Sequence, residues 1–598
     1  MTSAELRKKF LSFFKKKGHK IVPSSLLIPT DPSVLFTTAG MQQFKEYFLG
    51  KGSPYGKRVV SSQKCFRTSD IEEVGDEKHL TFLEMLGNFS FGDYFKEEAI
   101  KFAFEFLFKE LKLPQDNVVF TVFEGDKLIP FDEESFLIWK KLGIPENKIK
   151  KCARADNFWG PTGEEGPCGP TTEIHFNDIE VWNLVFNEYY QDKNEKLTPL
   201  KQKGVDTGMG LERLAMVIQQ KPSIYETDLF EPVINEIKRN NPKSYNLNPK
   251  PYRIIADHTK SAVFLISEEI LPSNVERGYV LRRVLRRAIR YGKLLNLPKN
   301  FLIPLAQKVV EIYKDVYPEV KSQETDILTV IQNEEEKFIK SLDRGLKILH
   351  TQLEAQDLKP GQRIENIPDV SPINGFLGFT PSILTPEWLF NFYQSFGLDP
   401  ELVFEETEKY LGRKYTDREK QDLISGFNIL MKKHREISRA GAEKKFGGVG
   451  KETTYESAKL HTATHLLHAA LRQILGLHVK QMGSDITPQR LRFDFSHPKK
   501  MTEDEIKKVE DLVNQKIKED SEVKKEEMSY QEAIKSGALA FFKERYPERV
   551  TVYSIGNFSK EICAGPHAKR TSELGRHFEI LKEESSGAGV RRIRAILK

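Results

Sequence analysis

Apolar residues recur along this chain at two alternating periods, and the change from one to the other divides it. In residues 4–17, Leu6, Phe10, Phe13 and Phe14 fall at helical spacing among lysines and Gly18 follows as a stop, which predicts an amphipathic helix. From about 20 to 215 the period shortens. VVFTVFEG (118–125) and IEVWNLVF (179–186) read as strands between Gly/Pro punctuation, predicting an α+β domain on an antiparallel sheet. From about 250 to 440 helical periods dominate: Ile331, Phe338, Leu342 and Leu349 mark one face of a long helix, and the polar stretch 357–387 reads as a loop. EKKFGGVGKETT (443–454) reads as a linker. After it the pattern is mixed α/β, with Thr502 and Glu505 as a capping box ahead of Ile506, Val509, Val513 and Ile517. The expected organisation is α+β and multidomain: a sheet domain 1–243, a helical domain 244–442, the linker, and an α/β domain 455–598.

Composition adds limits. The chain has 598 residues, 39% apolar and 30% charged, enough for several cores. Its 92 basic and 86 acidic residues leave a net charge of +6, so any polyanionic partner must be argued from where the bases cluster. Cys65, Cys152, Cys168 and Cys563 are too scattered for a disulfide framework, and the N-terminus has no secretory apolar core. No run approaches the ~18 apolar residues of a membrane span. A cytoplasmic protein without a membrane partner is expected.

Three segments carry candidate nucleotide and ligand chemistry, although there is no GxxxxGK[ST] loop. In SSQKCFRTSDIEEVGDEKHLTFLEMLGNFSFGDYF (61–95), two strand-like pieces flank a polar turn, with Arg67 leading out and His79, Phe82 and Glu84 on the return. A fixed guanidinium can grip phosphate oxygens in two places and offset charge developing at an α-phosphate; the same pattern fits a surface ion pair. In GVDTGMGLERLAMVI (204–218), Gly208 and Gly210 let a ligand near the backbone, Glu212 and Arg213 fill the first helical turn, and Asp206 suits an ammonium group. An ordinary Gly-rich helix entry would look alike. DNFWGPTGEEGPCGPTTEIHF (156–176) reads as a shaped loop carrying Trp159 and Glu173 as ligand walls, and Cys168 has no partner cysteine at metal-ligand spacing.

Two further features concern polyanions and metal. LRRVLRRAIRYG (281–292) is two-faced, with Arg282, Arg283, Arg286, Arg287 and Arg290 opposite an apolar stripe. Its acidic residues lie upstream rather than interleaved, which favours a phosphate-binding face over a salt-bridged helix. HTATHLLHAALRQILG (461–476) sets His461 and His465 four apart, and ICAGPHAKR (562–570) sets Cys563 and His567 around a Gly-Pro turn. If the segments meet, they make a four-ligand zinc shell; either pair alone also fits a core or surface pair.

Together these segments resemble the class II aminoacyl-tRNA synthetases, and within them the alanine–tRNA ligase family. The resemblance rests also on DPSVLFTTAGMQQFK (31–45), EMLGNFSFGDYF (84–95), DNFW (156–159), GPCGP (166–170), WNLVF (182–186) and VDTGMGLER (205–213). It implies Mg²⁺-ATP held by Arg67 and Arg213, with His79, Phe82, Glu84, Gly210 and Glu212 beside the nucleotide. It implies an alanine pocket in which Asp206 holds the ammonium group, shaped by Trp159, Asn183, Val185 and Gly208. It implies tRNA(Ala) on the arginine helix, with Asn274 at the acceptor-stem G·U pair and Gln394 where the family has an aspartate. It implies one Zn²⁺ on His461, His465, Cys563 and His567, in a domain that hydrolyses mischarged seryl-tRNA. The turn TSDIEEVG is shorter than in bacterial members. The family's Gly-rich β-barrel and C-terminal dimerisation module have no counterpart, which implies a monomer with weakened editing. A tRNA-binding or trans-editing relative that has lost activation is the alternative.

Overall fold

The computed structural model describes residues 1–598 except 32, 162, 240–243, 275, 357–383, 413, 444–453, 498, 541–548, 564, 576 and 588–589. All but the ends of the expected linker, and most of the expected 357–387 loop, lie outside the described residues. The chain forms two compact units, residues 1–270 with 275–339, and residues 271–274 with 340–598. The division therefore does not fall at 243/244 as the sequence pattern suggested. The reason is burial: from Pro251 to Ser267 every residue of the helix Lys250–Ser267 is buried, and Phe264 stacks on Phe82 at 3.9 Å. A helix enclosed on all sides belongs inside a core.

The first unit is built on a nine-stranded sheet: β1 (Lys20–Ile21), β2 (Arg58–Phe66), β3 (Phe82–Phe91), β4 (Val118–Phe123), β5 (Ile149–Cys152), β6 (Phe158–Trp159), β7 (Gly166–Phe176), β8 (Ile179–Gln191) and β9 (Leu197–Gly210). The order is β1-β2-β3-β9-β8-β7-β4-β5, with β6 on β7; β1–β2 and β4–β5 are parallel and the other pairings antiparallel. The expected loop at 156–176 is largely strand. Gly169 explains this, because a Cβ there would sit 1.9 Å from the Phe186 carbonyl, so only glycine lets β7 close on β8.

Residues opposite one another in an antiparallel ladder share a face. The registers Gln63↔Met85↔Gly210, Asn183↔Gly208, Val185↔Asp206 and Glu173↔Asn183 put these side chains on one face. Phe82, Glu84, Leu86, Met209, Trp182 and Leu184 take the other, and all six are buried. The helix Ser3–Lys16 belongs to that closed face: Thr2 and Glu5 cap it, Leu6, Phe10, Phe13 and Phe14 are buried, and Phe10 lies edge-on to Trp182 at 5.8 Å. Arg7 of the same helix forms a two-pronged ion pair with Glu84, at 2.8 and 2.6 Å.

In the second unit the helices Pro386–Phe396 and Asp417–Glu443 precede a separate α/β core. There Tyr455–Leu475 and Glu503–Lys518 lie against a sheet of order β10 (Gln481–Thr487), β11 (Arg490–Ser496), β16 (Val590–Leu597), β15 (Phe578–Gly587). Leu467, Leu471, Phe493, Val509, Val513 and Ile593 fill the interior. The Thr502–Glu505 capping box forms as expected. A second sheet runs β12 (Val523–Ser529), β13 (Arg549–Ile555), β14 (Ser559–Ile562).

Arg7→Ala leaves Glu84 charged and sealed without its main partner. Urea denaturation is expected to show a loss of about 3–5 kcal/mol in the first unit.

Candidate active site

One carboxylate on the open face stands apart. Asp206 is 6% exposed and, among the described residues, has no hydrogen bond or ion pair. Burial alone pushes its pKa up to about 7. A buried carboxyl in that state favours a cation that can be brought to it. Two residues along β9, a Cβ on Gly208 would lie 3.0 Å from Met85 Sδ, and that sulfur also accepts the Gly40 amide at 3.3 Å. Trp159 and Met85 pack on the cluster containing Ala39, Met41 and Phe44, while Val185 stands opposite Asp206.

Two orphaned polar atoms border the same region. Asn183 Oδ1 and Trp159 Nε1 are buried without partners among the described residues. The orientation of Asn183 is fixed, because its Nδ2 donates to Glu173 Oε1 at 2.8 Å and Glu173 Oε2 in turn meets His175 Nε2 at 2.9 Å. A carboxylate and an amide oxygen can accept from an ammonium, and an indole N–H can donate to a carboxylate. Beyond Glu173 opens a cavity of about 460 Å³, lined also by Thr121, Cys152, Asn157, His175 and Glu180.

Arg67 follows β2 on this face; its Nε donates to the Thr38 carbonyl at 3.2 Å, and it pairs with no carboxylate among the described residues. Arg213 lies in the first turn of the helix Leu211–Ile218, whose N-cap is Gly210; its stem passes 3.8 Å from the Cβ position of Gly210, and its head meets the Glu180 carbonyl at 2.9 Å and carboxylate at 3.0 Å. Burial pushes the nearby Cys65 thiol up to about 12, with Arg67, Glu212 and Asp206 as lesser electrostatic influences. His79 is half-buried and bonded through Nδ1 to Asp76.

Three expected nucleotide contacts are corrected. Phe82 is fully buried against Phe264, on the closed face. Glu84 is equally buried, occupied by Arg7 and by the Tyr317 hydroxyl at 2.8 Å. Glu212 is 1% exposed and bound to Lys260 at 2.7 Å. Burial would raise the Glu84 carboxyl, but the Arg7 guanidinium holds it below its ordinary value; burial pushes Glu212 up despite Lys260. The strand residues that do face the open side, Leu83 and Met85, escaped the sequence analysis, although the alternation of β3 carries them.

The arginine helix is partly committed to its own chain. In the helix Glu276–Leu294, Arg282 and Arg287 are buried, Arg286 binds Glu334 at 2.8 Å, and Arg283 binds Glu72. These four groups are already engaged with protein. Arg290 is half-buried and Asn274 exposed. Gln394, in the helix Pro386–Phe396, is exposed and its Nε2 meets His434 Nε2 at 3.0 Å.

The four expected metal ligands do come together. The ligand atoms of His461, His465, Cys563 and His567 lie within 4.8 Å of one another, with Cys563 Sγ 3.3 Å from His461 Nε2. His461 Nδ1 is turned to the Pro566 carbonyl and His567 Nδ1 to Thr462 Oγ1, and His567 Nε2 is buried without a partner among the described residues. Burial pushes His461 down to about 4 and lowers His465 and His567, so the imidazoles are neutral. Three imidazole nitrogens and a sulfur converging within 4.8 Å of one another fit a zinc ion.

Residues 5–367 match the family model "tRNA synthetases class II (A)", and residues 550–594 match "Threonyl and Alanyl tRNA synthetase second additional domain". Alanine–tRNA ligase from Borrelia hermsii is 45% identical, with 99% of each chain covered. The protein of that name from Treponema pallidum is 44% identical over 99% of this chain and 98% of its own. Alanine–tRNA ligase from Fervidobacterium nodosum is 38% identical over the whole of this chain, which spans 80% of it. The compact length is thus shared with some relatives and not with others.

The Asp206 carboxyl generates a prediction independent of any ligand. Its folded pKa, about 7, lies above the ordinary 3.8, so the folded state keeps a proton that the unfolded state gives up. Its contribution is therefore fully present below pH ~3.8 and is lost as pH rises through 7, by up to about 4 kcal/mol at 1.4 kcal/mol per unit. Asp206→Asn is expected to flatten that slope. Chemical denaturation of both proteins at pH 5 and pH 8 measures it.

Proposed function

The chain belongs to the alanine–tRNA ligase family of class II synthetases, and on that premise we propose how its own residues carry the reaction. It is a ligase that activates alanine with ATP and esterifies it to tRNA(Ala). The observation that carries the site reading is the sealed Asp206, unpartnered among the described residues, with Gly208 letting the Met85 sulfur close on the strand beside it.

In this reading Asp206 and Asn183 Oδ1 take the alanine ammonium, and Val185, Met85 and Trp159 leave room for a methyl group only. The alanine carboxylate attacks the α-phosphorus of ATP, the bond to the β-phosphate breaks, and pyrophosphate leaves. Arg67 offsets charge at the α-phosphate, and Arg213 binds the departing phosphates once its contact with Glu180 is exchanged for them. Mg²⁺ accompanying ATP supplies further neutralisation. A ribose hydroxyl of the terminal adenosine of tRNA then attacks the alanyl carbonyl, and AMP leaves.

The second unit is proposed to remove errors. A methyl-sized pocket excludes larger side chains by clash, but distinguishes glycine by only ~1–3 kcal/mol and serine about as weakly. His461, His465, Cys563 and His567 would hold one zinc ion that shapes this site, and water would cleave the wrong ester. The chain is proposed to act as a monomer.

Alanine-dependent exchange of pyrophosphate into ATP tests activation. Asp206→Asn is expected to raise the alanine KM about 10- to 100-fold with little change in the ATP KM, the loss of one charge-assisted contact. For the wild type, the alanine KM should fall as pH rises from 6 to 8, because the ammonium pairs only with ionised Asp206; a flat profile would count against that pairing. For the metal, elemental analysis should give one zinc per chain, and Cys563→Ser should lose it and lower the melting temperature of the second unit.

A further inference from the structure

The arginines of the helix Glu276–Leu294 are spent on something other than solvent. The turn between β2 and β3, residues 67–81, has little regular structure beyond the short Ser69–Ile71 turn. Its carbonyls are collected by cations: Arg287 donates to Ile71 O at 2.9 Å and Val74 O at 3.4 Å, and Arg253 to Gly75 O at 3.3 Å. Its acidic side chains are taken likewise, Glu72 by Arg283 and Glu77 by Arg253 at 3.0 Å.

A buried relay ties the two ends of the turn together. Thr81 donates its amide (3.0 Å) and hydroxyl (2.5 Å) to Asp257, whose Oδ2 meets His258 Nδ1 at 2.8 Å. His258 Nε2 in turn lies 2.9 Å from Arg287 Nη1, which returns to Ile71. With Asp257 accepting from Nδ1–H, Nε2 is left as the acceptor that Arg287 requires. Arg287 is 6% exposed, so it cannot reach an outside phosphate without breaking this set.

We propose that this arginine face is a clamp on the nucleotide loop: Arg287 and Arg283 are positioning residues for ATP, acting through residues 71–81, and not contacts to RNA. The proposal rests on the reading that the nucleotide lies beside Arg67. It gives a physical role to the short turn, which needs external anchors to hold a fixed wall.

The test is pyrophosphate exchange by the full chain without tRNA. Arg287→Lys keeps the charge and loses the fork. Glu72→Ala, at a side chain 63% exposed, removes the Arg283 partner with little risk to folding. Both are expected to raise the ATP KM about tenfold, since misplacement by an ångström is costly, while the alanine KM stays within about twofold. Glu72→Ala combined with Arg283→Ala should be no worse than the poorer single variant. An unchanged ATP KM with a raised tRNA KM in aminoacylation would overturn the clamp in favour of RNA contact. Parallel losses for ATP and alanine would overturn it in favour of general destabilisation. Failure of the wild type to exchange at all would instead sink the proposed activity.

Discussion

Two carboxylates, Glu84 and Glu212, are sealed behind the large sheet, and they are tolerable there only because Arg7 and Lys260 are sealed with them. Glu212 accepts the Glu84 amide, at 3.2 Å to each of its oxygens, so the two pairs are joined through the backbone of β3. This arrangement fixes the pleat. Once Glu84 points back, Leu83 and Met85 must point forward, and a slip of one residue would bury the wrong set. The registers to β9 and β8 then place Asp206, Gly208 and Asn183 forward too.

The forward face handles charge in the opposite way. Asp206 is nearly as enclosed as Glu84, but no cation from the chain meets it among the described residues. Above neutral pH such a group gives the protein no stability. The unmet demand is a ground for reading it as a ligand site, since an arriving ammonium is favoured by the same burial that disfavours the bare carboxylate. Among the described residues Arg67 has no carboxylate partner on the same face, while Arg213 holds a carboxylate that a phosphate can replace.

The sequence was most legible where chemistry needs rare residue types close together. The spacing of His461, His465, Cys563 and His567 announced a cluster that the fold assembles across about a hundred residues. Asp206 between glycines announced an acceptor near exposed backbone. Phe82 and Glu84 misled because they flank the residues that face forward: composition marks a strand, whereas only its partners decide which alternate positions are buried. The arginine helix misled for another reason. Glu72 lies 211 residues before Arg283, and Glu334 lies 48 after Arg286, so a helical pattern alone makes engaged arginines look free. The GPCGP segment hid its strand because glycine and proline mark turns on average, and the close approach of Phe186 is visible only in three dimensions.

The same contrast bears on the proposed zinc. The closed side of the first unit neutralises its buried groups pairwise, acid against base. In the second unit, Glu561 meets His468 at 2.9 Å and lies 3.6 Å from His465, outside the cluster. Burial lowers the pKa of all three imidazoles, and the cluster gathers their nitrogens and the Cys563 sulfur within 4.8 Å of one another. Such a donor set fits a zinc ion. That is why His461 and His465 on one helix, and Cys563 and His567 around one turn, make better sense as an ion's shell than as packing.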